Sequence, residues 1–222
     1  MTRNYDAFTL AEVLITLVIV GIIAAMTIPT LINKTNKQEY VSRLIKAYST
    51  LAQATNRIIA EEGNPKGDIG GWADSSEHIY QLYKKYLSNA KECSNTTKCF
   101  EQFNGQGYKW LNNSGYDGDW VENDPNNDTR TLILADGVQV VFLHKSNTCE
   151  YGSYSQTNRC AEIAVDVNGI KGPNTWGRDA FRIAITPDGL QPYGCNGACK
   201  NPLSTGGQAC TCKVLQERAM NY

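Results

Sequence analysis

The sequence predicts an α+β fold: a long N-terminal spine helix, with a membrane half and an amphipathic half, packed on an antiparallel β-sheet, with disulfide-stapled loops toward the C-terminus. Three observations carry this expectation. The run from Phe8 to Ile32 is apolar but for one charged residue, Glu12. Apolar residues then recur at three- and four-residue spacing from Val41 to Ile59. Further on, strand-like segments flank an Asp136-Gly137 turn, and eight cysteines lie between Cys93 and Cys212.

The apolar run is long enough to span a bilayer. A helix rises about 1.5 Å per residue, so a hydrocarbon core of about 30 Å needs roughly 20 apolar residues. A secretory signal peptide is the first rival, and it fits poorly. The run exceeds the roughly 7 to 15 residues of a typical signal core, Arg3 is the only basic residue ahead of it, and no small-x-small site follows a short core. Glu12 is then the anomaly, because a simple anchor has no use for a carboxylate and an ionisable group inside a bilayer marks a functional position with a partner to be named. The alternative is a Glu12 close enough to the interface to stay hydrated.

Pro29 cannot donate a backbone hydrogen bond to the carbonyl of Ala25, and Gly21 adds backbone freedom before it. The stretch between them is expected to be the weak part of the helix. A harmless kink is the competing reading, with hydroxyls such as Thr27 re-satisfying the freed groups. After Asn33 the pattern becomes amphipathic: Val41, Leu44, Ile45, Tyr48, Leu51, Ala52, Thr55, Ile58 and Ile59 share a face, with Lys37, Arg43, Lys46, Gln53 and Arg57 elsewhere. One helix from about Thr9 to Glu62 follows, ending at Gly63-Asn64-Pro65.

A second helix is expected from Asp74, where Asp74-x-x-Glu77 forms a capping box, through Leu87. Strands are expected at Thr131 to Ala135 and Val138 to Leu143 around Asp136-Gly137, then at Glu162 to Val167 and at Phe181 to Thr186, closed by a Pro187-Asp188-Gly189 turn.

Charge is nearly balanced, with 21 Lys and Arg against 22 Asp and Glu, and no basic cluster stands out, so nucleic-acid binding is not expected. The basic residues that flank the span, Lys34, Lys37, Arg43 and Lys46 after it against Arg3 before it, place the C-terminal part in the cytoplasm by the positive-inside rule. Eight cysteines outweigh that, because long domains translocate regardless of such charges and cystines belong to oxidising compartments. The chain does not read as an enzyme. His78 and His144 read as structural or exposed, no G-x-S-x-G or phosphate-cradling glycine loop occurs, an even cysteine count disfavours a free catalytic thiol, and no catalytic residue is assigned.

Spacing prunes the 105 pairings that eight cysteines allow. Cys93 with Cys99 and Cys149 with Cys160 close short loops. Cys195 and Cys199 cross-pair with Cys210 and Cys212, since cysteines one residue apart seldom bridge each other comfortably. Zinc held by the four tail thiolates is the competing reading, although the spacing departs from paired C-x-x-C knuckles. An acidic stretch, Asn112 to Asp128, holds Asp117, Asp119, Glu122, Asp124 and Asp128 without Lys or Arg, and reads as a solvated or partner-facing surface.

The segment Ala7-Phe8-Thr9-Leu10-Ala11-Glu12-Val13-Leu14 resembles the prepilin-peptidase site of type IV pilins and type II secretion system pseudopilins. The register extends past the cut, with Glu12 fifth, Gly21 fourteenth and Pro29 twenty-second when Phe8 is the first mature residue. Ala7 stands where the family commonly has Gly. The resemblance implies cleavage between Ala7 and Phe8, N-methylation of Phe8, and pairing of the Phe8 amine with Glu12 of a neighbouring subunit. It also favours a helix that locally melts between Gly21 and Pro29 during assembly. The implied organisation is a leader at 1–7, a transmembrane assembly helix at 8–32, and an extracytoplasmic pilin-like domain at 33–222.

By the same resemblance the chain is a structural subunit of a type IV pilus or type II secretion pseudopilus. Its partners are prepilin peptidase, other pilin or pseudopilin subunits in a homo- or heteropolymer, and the inner-membrane assembly platform. Its location is the cell membrane as a single-pass protein, then the filament after methylation and assembly. The alternative is a membrane-tethered binding domain, an adhesin-like minor pilin. The cystine-closed tail resembles the C-terminal loop of pilins, which often carry one bridge only. The segment Asp166-Val167-Asn168-Gly169 through Gly177-Arg178-Asp179 resembles loops of pilin-like minor subunits, and major pseudopilins hold calcium in a loop of this region. No cofactor is expected beyond calcium, for which Asp166, Asn168 and Asp179 are the candidate ligands, although Asx-rich loops are also ordinary turn chemistry.

Overall fold

The computed structural model describes residues 9–66, 71–87, 89–93, 108–115, 129–153, 156–169, 171–203 and 206–222. Its elements are α1 (Leu10–Glu62), α2 (Ser76–Tyr86), β1 (Lys91–Glu92), β2 (Thr129–Ile133), β3 (Gln139–His144), β4 (Tyr151–Ser153), β5 (Gln156–Arg159), β6 (Ala161–Asp166), β7 (Ala180–Thr186), β8 (Gly189–Pro192) and α3 (Thr211–Glu217). The chain divides into two compact units, one ending at Glu39 and one spanning Tyr40 to Tyr222, and α1 contributes to both. The division falls where burial begins: Tyr40 and Val41 are the first buried residues of the helix.

Within the second unit, the apolar face of α1 supplies Val41, Leu44, Ala47, Leu51, Ala54 and Ile58 to the core. The helix stops at Gly63, whose φ of 86° lies in the left-handed region and whose N–H bonds the Ile59 carbonyl at 3.0 Å. The second helix starts one residue later than the expected capping box. Ser75 is the cap: its backbone is extended and its side chain accepts the His78 N–H. Asp74 instead accepts from the Ser75 hydroxyl at 3.1 Å and faces His78 Nδ1 at 3.0 Å, while Glu77 turns to Gln81 and Arg130.

Six strands form one antiparallel sheet in the order β1-β2-β3-β6-β7-β8. The Asp136-Gly137 turn joins β2 to β3 with Gly137 at φ 84° and the pair Ile133↔Gln139 beside it. Alternation splits the side chains between two faces. Leu132, Val140, Phe142, Ile163, Val165, Phe181, Ile183 and Ile185 join the core shared with α1 and α2, where Tyr83 packs on Phe142 with ring centroids 4.8 Å apart. Val141, Leu143, Ala164 and Ala180 face the other way and are covered by Tyr108 and Trp176. Every residue of β6 is therefore buried, although antiparallel sheets commonly leave one face to solvent.

The cystine-bridged tail lies against Trp110 and Trp176, which pack on that outer face. Cys195 is bonded to Cys212 and Cys199 to Cys210, one bridge nested inside the other, and Cys149 is bonded to Cys160 at the base of the β4–β5 hairpin. Cys93 is described, whereas Cys99 lies outside the described residues. Close backbone approach seats the segment. A Cβ on Gly207 would stand 2.1 Å from the Trp176 carbonyl oxygen, and one on Gly206 would stand 1.9 Å from the Trp110 ring. Only glycine fits there.

Candidate functional site

Thr9 to Glu39 is built almost wholly of exposed side chains. Leu10 is 78% exposed and Met26 72%, a density of open apolar surface that a soluble domain does not carry. The best 18-residue window of α1 has a mean hydropathy of 2.5 and none of it is buried, so this helix is long and apolar enough to cross a membrane.

Glu12 sits in the first turn. Its carboxylate accepts the Thr9 N–H at 2.9 Å and the Thr9 hydroxyl at 2.8 Å, while the Glu12 N–H donates to Thr9 Oγ1 at 3.3 Å. This is a reciprocal capping box in which one side chain serves the backbone donor of the other. The negative charge thus rests at the positive end of its own helix. Thr9 is the residue that reading Glu12 as a lone charge overlooks, and the Thr9-x-x-Glu12 spacing is the signal that finds it.

The helix is continuous through Gly21 and Pro29. A Cβ at Gly21 would meet nothing within 4 Å, so that glycine answers no packing demand within the subunit. The Thr27 hydroxyl donates to the Ile23 carbonyl at 2.9 Å and the Thr30 hydroxyl to the Met26 carbonyl at 3.4 Å, bracketing the carbonyl of Ala25 that Pro29 leaves without its helical donor. Ala7 and Phe8 lie outside the described residues, as does the acidic stretch from Asp117 to Asp128.

The three calcium candidates come together at the end of β6 and the loop before β7. Asp166 and Asp179 are both buried. Their oxygens already take protein hydrogens. Asp166 accepts the Tyr108 hydroxyl and the Asn168 N–H, and Asp179 accepts the Asn174 N–H at 2.7 Å and the Thr175 N–H at 2.6 Å. Asn168 beside them donates its Nδ2 to the Gly172 carbonyl at 3.1 Å and keeps a buried Oδ1 without a partner. Calcium takes about six to eight oxygen ligands, and two carboxylates facing backbone and phenol donors with one amide oxygen fall short of that number. Among the described residues no group of three or more His, Cys, Asp or Glu gathers around a common point.

Burial, and then the Asp179 charge, push the Asp166 carboxyl well above its ordinary range. A carboxyl raised in the folded state stabilises the fold fully below its unfolded value near 3.8, and that contribution is lost as pH rises through the raised one. Asp166→Asn is accordingly expected to raise the melting temperature at pH 8, with the gain shrinking on acidification toward pH 4. Calcium and a chelator should each leave both melts in place. A melt several degrees higher with calcium, abolished by Asp166→Asn, would establish a metal site there.

A second buried polar group went unread in the sequence. Glu162, 1% exposed on β6, pairs with Arg159 and accepts the Tyr193 hydroxyl. The Arg159 guanidinium lies 4.6 Å from the Tyr151 ring centroid and 5.4 Å from that of Tyr193, and the Arg182 guanidinium lies 5.2 Å from Trp176. Burial pushes the Tyr193 phenol up to about 12, so it remains a donor to Glu162. The group ties the β4–β5 hairpin and the chain beyond β8 to the sheet, and its role is structural.

The prokaryotic N-terminal methylation motif matches residues 2–28, which supports a protein of the pilin-like, prepilin-processed class, and the exposed apolar helix with a carboxylate in its first turn fits the membrane anchoring that class implies. The motif implies processing by prepilin peptidase and assembly with other pilins. The chain belongs to a family of unknown function, DUF6613, whose model matches residues 30–204. No curated protein and no solved structure matches it.

Proposed function

We propose that this protein is a structural subunit of a type IV pilus or a type II secretion pseudopilus, cut between Ala7 and Phe8, methylated at Phe8 and polymerised through its N-terminal helix. The observation that supports this most is the wholly exposed apolar helix with a carboxylate in its first turn. A bilayer accommodates such a surface in the monomer, and identical helices laid side by side accommodate it in a filament.

The chemistry of Glu12 follows from its cap. In the membrane the carboxylate is held by Thr9 of its own chain, which lessens the cost of burying a charge. In a filament the methylated amine of Phe8 on a neighbour replaces or joins the Thr9 donors, and a charge pair forms where water is scarce. Residues 1–7 are the leader in this reading, 8–32 the transmembrane and assembly helix, and 33–222 the extracytoplasmic domain. The three bridges of the described residues support that side of the membrane, because cystines persist in oxidising compartments. The inner-membrane assembly platform is the machinery such a subunit requires.

The N-terminal peptide of the purified mature protein decides the processing step. Its mass is expected to begin at Phe8 with one added methyl group. Met1 retained in cells with active prepilin peptidase, or a cut beyond Ile32, would remove the basis of this reading.

A further inference from the structure

We propose that the outer tail cystine, Cys195–Cys212, is a thiol-exchange site entered at Cys195, where an incoming thiolate opens the bridge while the rest of the domain stays folded.

Access decides where exchange starts, because a thiolate must reach the sulfur that it attacks. Cys195 is exposed, and so is Asn196 next to it. The other cysteines of the described bridges are sealed: Cys149, Cys160, Cys199, Cys210 and Cys212 are each 3% exposed or less. Both ends of the hairpin bridge and both ends of the inner tail bridge are therefore closed to solvent, and a thiolate reaches them only after local unfolding. The outer bridge has one open end and one buried end, which fixes the direction of attack.

The step involves the two sulfurs of that bridge and the sulfur of the partner. The thiolate forms a bond to Cys195 Sγ, the Cys195–Cys212 bond breaks, and the electron pair leaves on Cys212 Sγ, which takes up a proton. One disulfide replaces another, with no net oxidation. A second thiol on the partner then displaces Cys195, so that Cys195 and Cys212 end reduced and the partner ends oxidised.

Contacts on either side of the bridge hold without it. Thr211 Oγ1 accepts the Arg182 N–H at 3.1 Å, the Cys212 N–H bonds the Tyr193 carbonyl at 2.9 Å, and Val214 is fully buried. On the Cys195 side, the Gly197 N–H bonds the Gly194 carbonyl at 3.1 Å, and a Cβ on Gly194 would stand 1.7 Å from the Ala209 carbonyl oxygen. The inner bridge, with a separation of 11 residues, lies within the 17-residue separation of the outer one and still ties its two arms together. Cys212 accordingly keeps its place and can attack the mixed disulfide to close the bridge again. The outer bridge is a reversible latch, and the inner one is the lasting staple.

The test uses the folded full-length protein in detergent. Dithiothreitol serves as the small thiol, and thioredoxin with its second active-site cysteine replaced serves separately as the protein thiol, which traps the mixed disulfide. Alkylation at timed intervals and peptide mapping locate the thiols. Cys195 and Cys212 are expected to appear together, at least about tenfold faster than Cys149, Cys160, Cys199 or Cys210. Tryptophan fluorescence in the dithiothreitol arm should be unshifted at that stage, and thioredoxin should be joined to Cys195. Opening by dithiothreitol without a thioredoxin adduct would assign the site to small thiols. Earlier or simultaneous opening of the inner or hairpin bridge, an adduct on Cys212, or no opening of Cys195–Cys212 in the folded protein would overturn the proposal. None of these outcomes depends on polymerisation, so the polymer reading stands or falls separately.

Discussion

Glu12→Val is expected to insert into the membrane at least as well as the wild-type chain and to be lost from filaments. A carboxylate near the middle of a membrane helix costs about 2.5 to 3.5 kcal/mol on insertion scales, and less at the helix end, where Thr9 donates to it. Valine removes that cost. It also removes the acceptor that sets the axial register of one helix against the amine of the next. Membrane fractionation and filament yield, measured together, separate the two effects. Thr9→Val provides the control: loss of a threonine cap costs about 1 kcal/mol of helix-end stability while leaving the carboxylate available, so filaments should persist at reduced yield. Normal incorporation of Glu12→Val would show that the carboxylate serves its own helix alone.

Removing both tail bridges, by Cys→Ser substitution at 195, 199, 210 and 212, is expected to release the cystine segment from the outer face of the sheet. A bridge that closes a loop of this size contributes roughly 2 to 4 kcal/mol. The two are nested, however, with separations of 17 and 11 residues, and the outer bridge already limits the freedom that the inner one removes. The combined loss should therefore be smaller than the sum of the two single losses. Trp176, fully buried under this segment, reports the release by a red shift of its fluorescence. Gly207→Ala should give a similar shift with all cystines intact, because φ is 87° and the added carbon would stand 2.1 Å from the Trp176 carbonyl oxygen. A quadruple variant with the wild-type unfolding midpoint and an unshifted spectrum would show that the segment is held by packing alone.

Much of the fold was legible because it rests on local periodicity. The apolar run and the three- and four-residue spacing after it mark α1 to within a residue of its limits, and Gly63 ends it by its own left-handed backbone. Asp136-Gly137 marks the β2–β3 hairpin because few dipeptides favour that turn. The same locality explains the errors. Asp74 and Ser75 are both good caps, and side-chain geometry at His78 chose the second. The two-residue β1, the β4–β5 hairpin, β8 and α3 carry no periodic signal long enough to read.

Residues close together in the chain suffice for the membrane-competent helix, the position of Glu12 within it and the antiparallel β2–β3 hairpin. Long-range packing was needed to pair β3 with β6, to bury both faces of the central strands, to bring Asp166 and Asp179 together facing protein donors, and to set Glu162 beside Tyr193 and Arg182. Those outcomes depend on residues far apart in sequence, whose approach is fixed by backbone contacts at Gly177, Gly194 and Gly207 and by nested cystines, and no spacing along the chain encodes which distant surface a tight glycine will meet.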